Sequence, residues 1–251
     1  MYQSLIIVRH YLLKSILDPL NTAILLLLPL ALVFVNFVMI DTIGIDVSDV
    51  LVVSSIAMLM LPAFQLFSPL QHYYLFGDFQ GAVRFRLYSA PCSKAKFILS
   101  MGIATWIYSV FIGLFFILAS SILFGVEWGN MLVVLLVLLL LSVLAQLISI
   151  FLFFVTSTRK AAEAGVQVIA WSALILSGGI VNLGNNPVTN FFQMYGTPLS
   201  LASRAMAAAS FPDAVEFNLG APGLYISILA ASTGVFAIIT IIAGMLSKKE
   251  L

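Results

Sequence analysis

Residues 73–97 read YYLFGDFQGAVRFRLYSAPCSKAKF. Four of the chain's eleven basic residues, Arg84, Arg86, Lys94 and Lys96, fall in this stretch, and the sequence on both sides is hydrocarbon-like. Gly77 breaks the preceding segment, and Asp78 is placed to cap a new helix, because its carboxylate accepts from the first free backbone N–H groups. Phe76, Phe79, Val83 and Leu87 then recur at helical spacing as one apolar stripe. Pro91 ends the run, since the residue before a proline is biased away from helical geometry. The reading is a short amphipathic helix over 77–91 on the cytoplasmic face of a membrane protein, where a soluble partner can push on it. A plain basic loop that only sets membrane orientation has the same composition, and the residues leave both readings open.

The whole chain supports the membrane setting. Of 251 residues, 62% are hydrophobic and only 8% are charged, where a soluble domain is nearer a quarter charged. Cys92 is the one cysteine, so no internal disulfide is possible and the redox compartment is not readable. No cleavable signal peptide is expected, because the first apolar run follows about twenty mixed residues without a small-residue cleavage pattern.

Outward from the basic stretch, the sequence predicts six transmembrane helices at about 21–40, 50–72, 97–124, 130–156, 164–181 and 223–246. Twenty helical residues cover about 30 Å, the thickness of a bilayer core. Pro29, Pro62 and Pro69 are expected to bend the first two. Residues 2–18 form an amphipathic helix with His10, Lys14 and Asp18 on one side and Leu5, Leu12, Leu13 and Ile16 towards the other, which suits a helix lying in the interface. Arg9 falls near the apolar side, where its stem can snorkel to headgroups. Between the fifth and sixth spans, 182–221 is too broken to cross and too apolar for a free loop. Two short helices around 188–195 and 199–211 are expected to dip back into the outer leaflet, where protein must bury their ends. Ser177-Gly178-Gly179 offers close packing or a hinge before them.

Orientation follows from charge. Ten of the eleven basic residues lie in 1–20, 73–97, 157–163 and 247–251, which alternate onto one side; Arg204 alone lies opposite, with six acidic residues. The positive-inside rule puts both termini and the central stretch in the cytoplasm.

The predicted spans carry no Asp, Glu, Lys or Arg at mid-depth, which argues against a proton-coupled carrier and an intramembrane aspartyl protease. His10 and His72 sit near membrane edges outside any metalloprotease pattern, no Gly-x-Ser-x-Gly turn is present, and no Walker A sequence exists. The expectation is a chain that is not an enzyme and has no catalytic residue, metal or cofactor of its own. Nothing suggests nucleic acid. Polar residues within spans, among them Gln65, Gln146 and Ser172, suit helix–helix hydrogen bonds. Gln65 with Phe64 and Phe67 could instead face a translocation path, and Trp171 is added to that candidate path.

Taken together, these features resemble the membrane subunit of ABC-2 type exporters over nearly the whole chain. The resemblance rests on the N-terminal helix with Arg9 and Asp18-Pro19, followed by Pro29. It rests also on GDFQGAVRFRLYSAPCSKAKFILSM, with Asp78, Gly81, Leu87, Pro91 and Lys94 in the family's order, and on SGGIVNLGNNP with FFQMYGTPLSLASRAM, whose Pro187 and Pro198 match the prolines of an exoplasmic re-entrant hairpin. Where the family has a glutamate and a threonine-rich run, this chain has Asp78 and Tyr88-Ser89-Ala90, which leaves the subfamily open.

The resemblance implies a half-transporter in a prokaryotic plasma membrane. A second copy or a related permease would face it across a path lined by the first, second and fifth spans. Two P-loop ATPase subunits, carrying the ATP and Mg, would dock below. Residues 77–91 would be the coupling helix, with Gly77, Asp78, Phe79, Gln80, Val83, Arg84, Arg86 and Leu87 at the ATPase contact. Arg9, Lys14 and Asp18 would hold the interfacial helix in place among membrane lipid, and the Pro187–Pro198 hairpin would close the exit. An uncharged membrane interior favours an amphipathic cargo: a peptide, drug or lipid-like molecule. The competing readings are a membrane immunity or scaffold protein that transports nothing, and an ATP-independent channel or carrier.

Overall fold

The computed structural model describes residues 2–43, 49–67, 71–81, 93–178, 184, 186–211 and 221–247. Among them every regular element is helical. In chain order these are α1 (Tyr2–Ile16), α2 (Pro19–Ile43), α3 (Asp49–Phe67), α4 (Gln71–Gln80), α5 (Lys94–Phe124), α6 (Met131–Val155), α7 (Arg159–Leu176), α8 (Pro187–Phe191), a π turn (Phe192–Gly196), α9 (Pro198–Ser210) and α10 (Pro222–Leu246).

Among the described residues, four helical stretches are long and apolar enough to cross a membrane: α3 with α4 within Val52–Phe79, and Lys94–Phe124, Met131–Val155 and Pro222–Leu246. This is a helical membrane protein. The expected first span corresponds to α2, whose apolar helical stretch is the shorter Leu25–Met39. The expected fifth corresponds to α7, which opens on Arg159, Lys160 and Glu163.

Side-chain caps set several helix starts. Asn130, Thr158 and Thr197 each accept a backbone N–H at the head of α6, α7 and α9, satisfying donors the first turn leaves free. Asn186 and Thr189 cap α8 reciprocally. Gly125, at φ 65°, ends α5 in the left-handed region that suits glycine. Pro29 and Pro62 are both buried within continuous helices.

The core lies around α6, which packs against α3, α4, α5, α7, α9 and α10. α1 runs along α5, and α2 lies against α3 and α5. Lipid offers no hydrophobic drive for helix association, so small residues and polar links carry much of it. Gly113 is such a point: a Cβ there would come within 2.4 Å of Leu138 Cδ1 and 2.8 Å of Gln65 Nε2. α10 is the outermost of the four long helices, with 17% of its most apolar window buried against 39% to 56% for the others.

The segment between α7 and α10 is integrated into this packing. Leu199, Leu201, Ala202, Ala205 and Met206 of α9 are buried, and α9 packs on α3, α6 and α10. Gly178, at φ 75°, lets the π turn approach the end of α7, since a Cβ would lie 3.2 Å from Gln193 Cγ. Arg204 donates from Nε to the Gln193 carbonyl at 3.0 Å, tying α9 back to the π turn.

Candidate functional site

The expected helix break at Gly77-Asp78 does not occur. α4 runs through both residues to Gln80, so Asp78 lies in a last turn and caps nothing at a new helix start. Helix interiors tolerate one glycine at a cost of about 1 kcal/mol, and the packed neighbours of Gly77 outweigh that. Tyr74, Leu75, Phe76 and Phe79 are all buried. Phe79, expected on a surface offered to a partner, faces inward. Its ring meets Phe97 edge-on at 5.7 Å and Phe153 at 5.9 Å. Val83, Arg84, Arg86 and Leu87, and most of 77–91, lie outside the described residues.

α4 is clamped from several sides. From α1, the buried Tyr11 donates its hydroxyl to Asp78 Oδ2, and Ser15 Oγ lies 3.2 Å from the Tyr74 hydroxyl. Lys14 Nζ stands 4.6 Å from the Tyr74 ring centre. From α7, the Arg159 guanidinium stacks 3.5 Å from the centre of the Tyr73 ring and pairs with Glu163 at 2.8 Å. The neighbouring tyrosines of α4 thus each receive a cation from a different helix. From α6, Ser149 Oγ accepts the His72 backbone N–H at 2.7 Å and lies 3.0 Å from Nδ1. His72, read as an edge residue, is buried.

The tyrosine–aspartate link is electrically distinctive. Burial, then the hydrogen bond to Asp78 and the charge of that carboxylate, push the Tyr11 hydroxyl well above its ordinary pKa. Tyr11 therefore remains a donor. The sequence reading assigned α1 a polar and an apolar side but missed Tyr11 and Ser15, which point at the protein. Leu5, Leu13 and Ile16 of the expected apolar side are exposed, as are Arg9 and Lys14, while Asp18 is half-buried.

The residues expected to line a path divide. Gln65 is 4% exposed. Its Nε2 donates to the Ser109 carbonyl at 3.1 Å, and its Oε1 accepts from the Ser109 and Ser142 hydroxyls. Its amide is consumed in joining α3, α5 and α6. Phe64 and Phe67 are half-buried, and Phe67 meets Trp171 edge-on at 5.2 Å. Trp171 is 50% exposed and shares an open face of α7 with Val168 and Ile175. Pro187 and Pro198 open α8 and α9.

Among the described residues, no group of three His, Cys, Asp or Glu side chains could hold a metal ion. No protein-family model matches the chain, and no curated protein matches it.

Proposed function

We propose that the chain is the transmembrane subunit of an ATP-driven exporter. In this reading it spans the plasma membrane six times with both termini in the cytoplasm, and α8 to α9 form a re-entrant hairpin near the exit. It pairs with a second copy or a related permease and couples to two P-loop ATPase subunits that carry ATP and Mg. Its cargo is amphipathic: a peptide, a drug or a lipid-like molecule.

The observation that carries the reading is the clamp on α4. A soluble motor acting on the basic residues beyond Gln80 needs a stiff connection into the spans. Tyr11–Asp78, Lys14–Tyr74, Arg159–Tyr73 and the Phe76–Phe79–Phe153 packing join that point to α1, α6 and α7. A packed interface of this kind moves as a body. Phe79 belongs to the clamp, so Val83 and Leu87 remain to fill a groove on the ATPase, and Arg84 and Arg86 to meet its acidic residues.

The test is purification of the tagged chain from its native membrane in mild detergent, with mass spectrometry and an ATPase assay. A P-loop ATPase is expected in about equal amount. Arg84→Glu with Arg86→Glu should lose it, while Tyr11→Phe with Tyr74→Leu should keep it and lose cargo-stimulated hydrolysis. A chain that purifies alone overturns the proposal, and flux through liposomes of the isolated chain without ATP would replace it with a channel or carrier.

A further inference from the structure

A groove of about 270 Å³ opens between α5 and α6 beneath the first residue of α4. Its rim is apolar and faces outward: Leu99 is 65% exposed, Ile103 41% and Val143 36%. Its floor is not apolar. Gln71 and Gln146 both line it, with 0% and 5% exposure, and neither side-chain carbonyl oxygen accepts a hydrogen bond. The Gln71 amide is fixed in orientation, because its Nε2 donates to the Ile98 carbonyl at 3.0 Å and the Oε1 must then be the free acceptor. Gly102 makes room for that amide, since a Cβ would lie 3.0 Å from Nε2 and 3.3 Å from Oε1.

Two buried acceptors at the base of an apolar groove call for a particular ligand. An acyl chain of a bulk phospholipid would fill the space and leave both oxygens unpaired, which is costly for a buried polar group. The lining holds no carboxylate to neutralise an ammonium head. A simple ester head brings acceptors and no donor, so Gln71 Oε1 would stay unpaired, whereas a hydroxyl donates to that oxygen and also accepts from an amide N–H such as that of Gln146. Free hydroxyls on an apolar body meet every condition. The volume suits a single chain, since a cavity of roughly 150 Å³ already takes benzene. The depth also suits it. Gly102 lies eight residues from the start of α5 and Gln146 nine before the end of α6, about 12 and 14 Å from that end of the bundle at 1.5 Å per residue.

We infer that this groove is a lateral binding site for a neutral, single-chain lipid with a free diol head, of the monoacylglycerol type, its hydroxyls donating to Gln71 Oε1 and Gln146 Oε1. The site does not depend on the exporter reading and would stand if no ATPase associates.

Trp106 forms one wall and serves as the reporter. With Trp128→Phe and Trp171→Phe in the full chain, it is the one remaining tryptophan. The protein is placed in unbrominated phosphatidylcholine vesicles and titrated with a chain-brominated monoacylglycerol, or with the matching brominated fatty acid methyl ester, which has no donor. Saturable quenching by the monoacylglycerol is expected, with only linear background from the ester. Gln146→Leu and Gln71→Leu should each weaken it about fivefold, the worth of one ordinary hydrogen bond. Ile103→Phe, which fills the groove from its exposed rim and leaves both amides in place, should abolish saturation, and it decides the matter if Gln71→Leu fails to fold. Equal quenching by the two lipids overturns the inference, as does saturation that persists unchanged in Gln146→Leu and Ile103→Phe.

Discussion

Tyr11 carries the hydroxyl that anchors Asp78, and its titration gives a signed expectation. A tyrosine whose folded pKa lies above its unfolded value of about 10 holds its proton more tightly when folded. Its contribution is complete below pH 10 and declines as pH rises from there towards the folded value. Melting temperatures in nanodiscs across pH 8 to 11.5 should therefore fall more steeply above pH 10 for the native chain than for Tyr11→Phe. At pH 7 the same variant leaves the half-buried Asp78 short of a donor and should cost roughly 1–3 kcal/mol. Gly129 poses a backbone question. It sits at φ 58°, and a Cβ would fall 2.3 Å from Ser210 Cα and 2.9 Å from the Ala209 carbonyl oxygen. Neither is a flexible side-chain tip, and Ser210 is further held by its bond to the Trp128 carbonyl. Gly129→Ala should destabilise by roughly 2–4 kcal/mol, read as a lower melting temperature in detergent; an unchanged value would mean that α9 is not held by this loop.

At the level of helices, much was legible from apolar length alone. α5, α6 and α10 begin and end within three residues of expectation. The errors fall where charges stand in a first turn. Lys94 and Lys96 read as loop, yet Ser93 caps the helix they begin. Arg159 to Glu163 also read as loop, although Thr158 is a good cap and the pair is spaced i, i+4 as helices prefer. That signal was available and outweighed by an orientation argument that counts charges without asking what they hold. The α4 clamp was hidden for a different reason: its partners come from residues 11, 14, 15, 149, 153 and 159, and no local pattern announces such pairings. The Gly77-Asp78 reading failed because tertiary burial of Phe76 and Phe79 overrode local propensity. The α7 contact can be tested by itself. Arg159→Ala removes the stacking on Tyr73 and should lower stability by about 1 kcal/mol, while Glu163→Gln, which removes only a surface pair, should change it by less than about 0.5 kcal/mol.

Across the described residues, exposed apolar side chains run along several helices, with Leu27, Phe34 and Val35 of α2 and Phe111, Leu118 and Ile122 of α5 among them. α10 presents Val235, Ile238, Ile239, Ile241 and Ile242, and α7 presents Val168, Trp171 and Ile175. A lone helix face is satisfied by lipid, whereas an aromatic placed edge-on against Phe67 offers the shape that a second protein surface can match. If two copies face each other across the first, second and fifth predicted spans, a Cys92→Ser chain with Ile175→Cys should form a disulfide-linked dimer under mild oxidation. The same chain with Ile238→Cys should stay monomeric on a denaturing gel. The reverse result would move the pairing surface to α10.

α5 holds 31 residues, a rod of about 46 Å at 1.5 Å per residue, against a hydrocarbon core of about 30 Å. Tilts of 20–40° still leave about 35–43 Å along the bilayer normal, so a turn or more must overhang. The end bearing Lys94 and Lys96 is suited to water, and Phe97 beside it is the residue whose ring meets Tyr11 edge-on at 5.8 Å. The overhang is thus a shelf on which the amino-terminal helix rests. Trimming four residues from it would leave 27, about 40 Å and ample to cross, yet would take away the ledge beneath Tyr11.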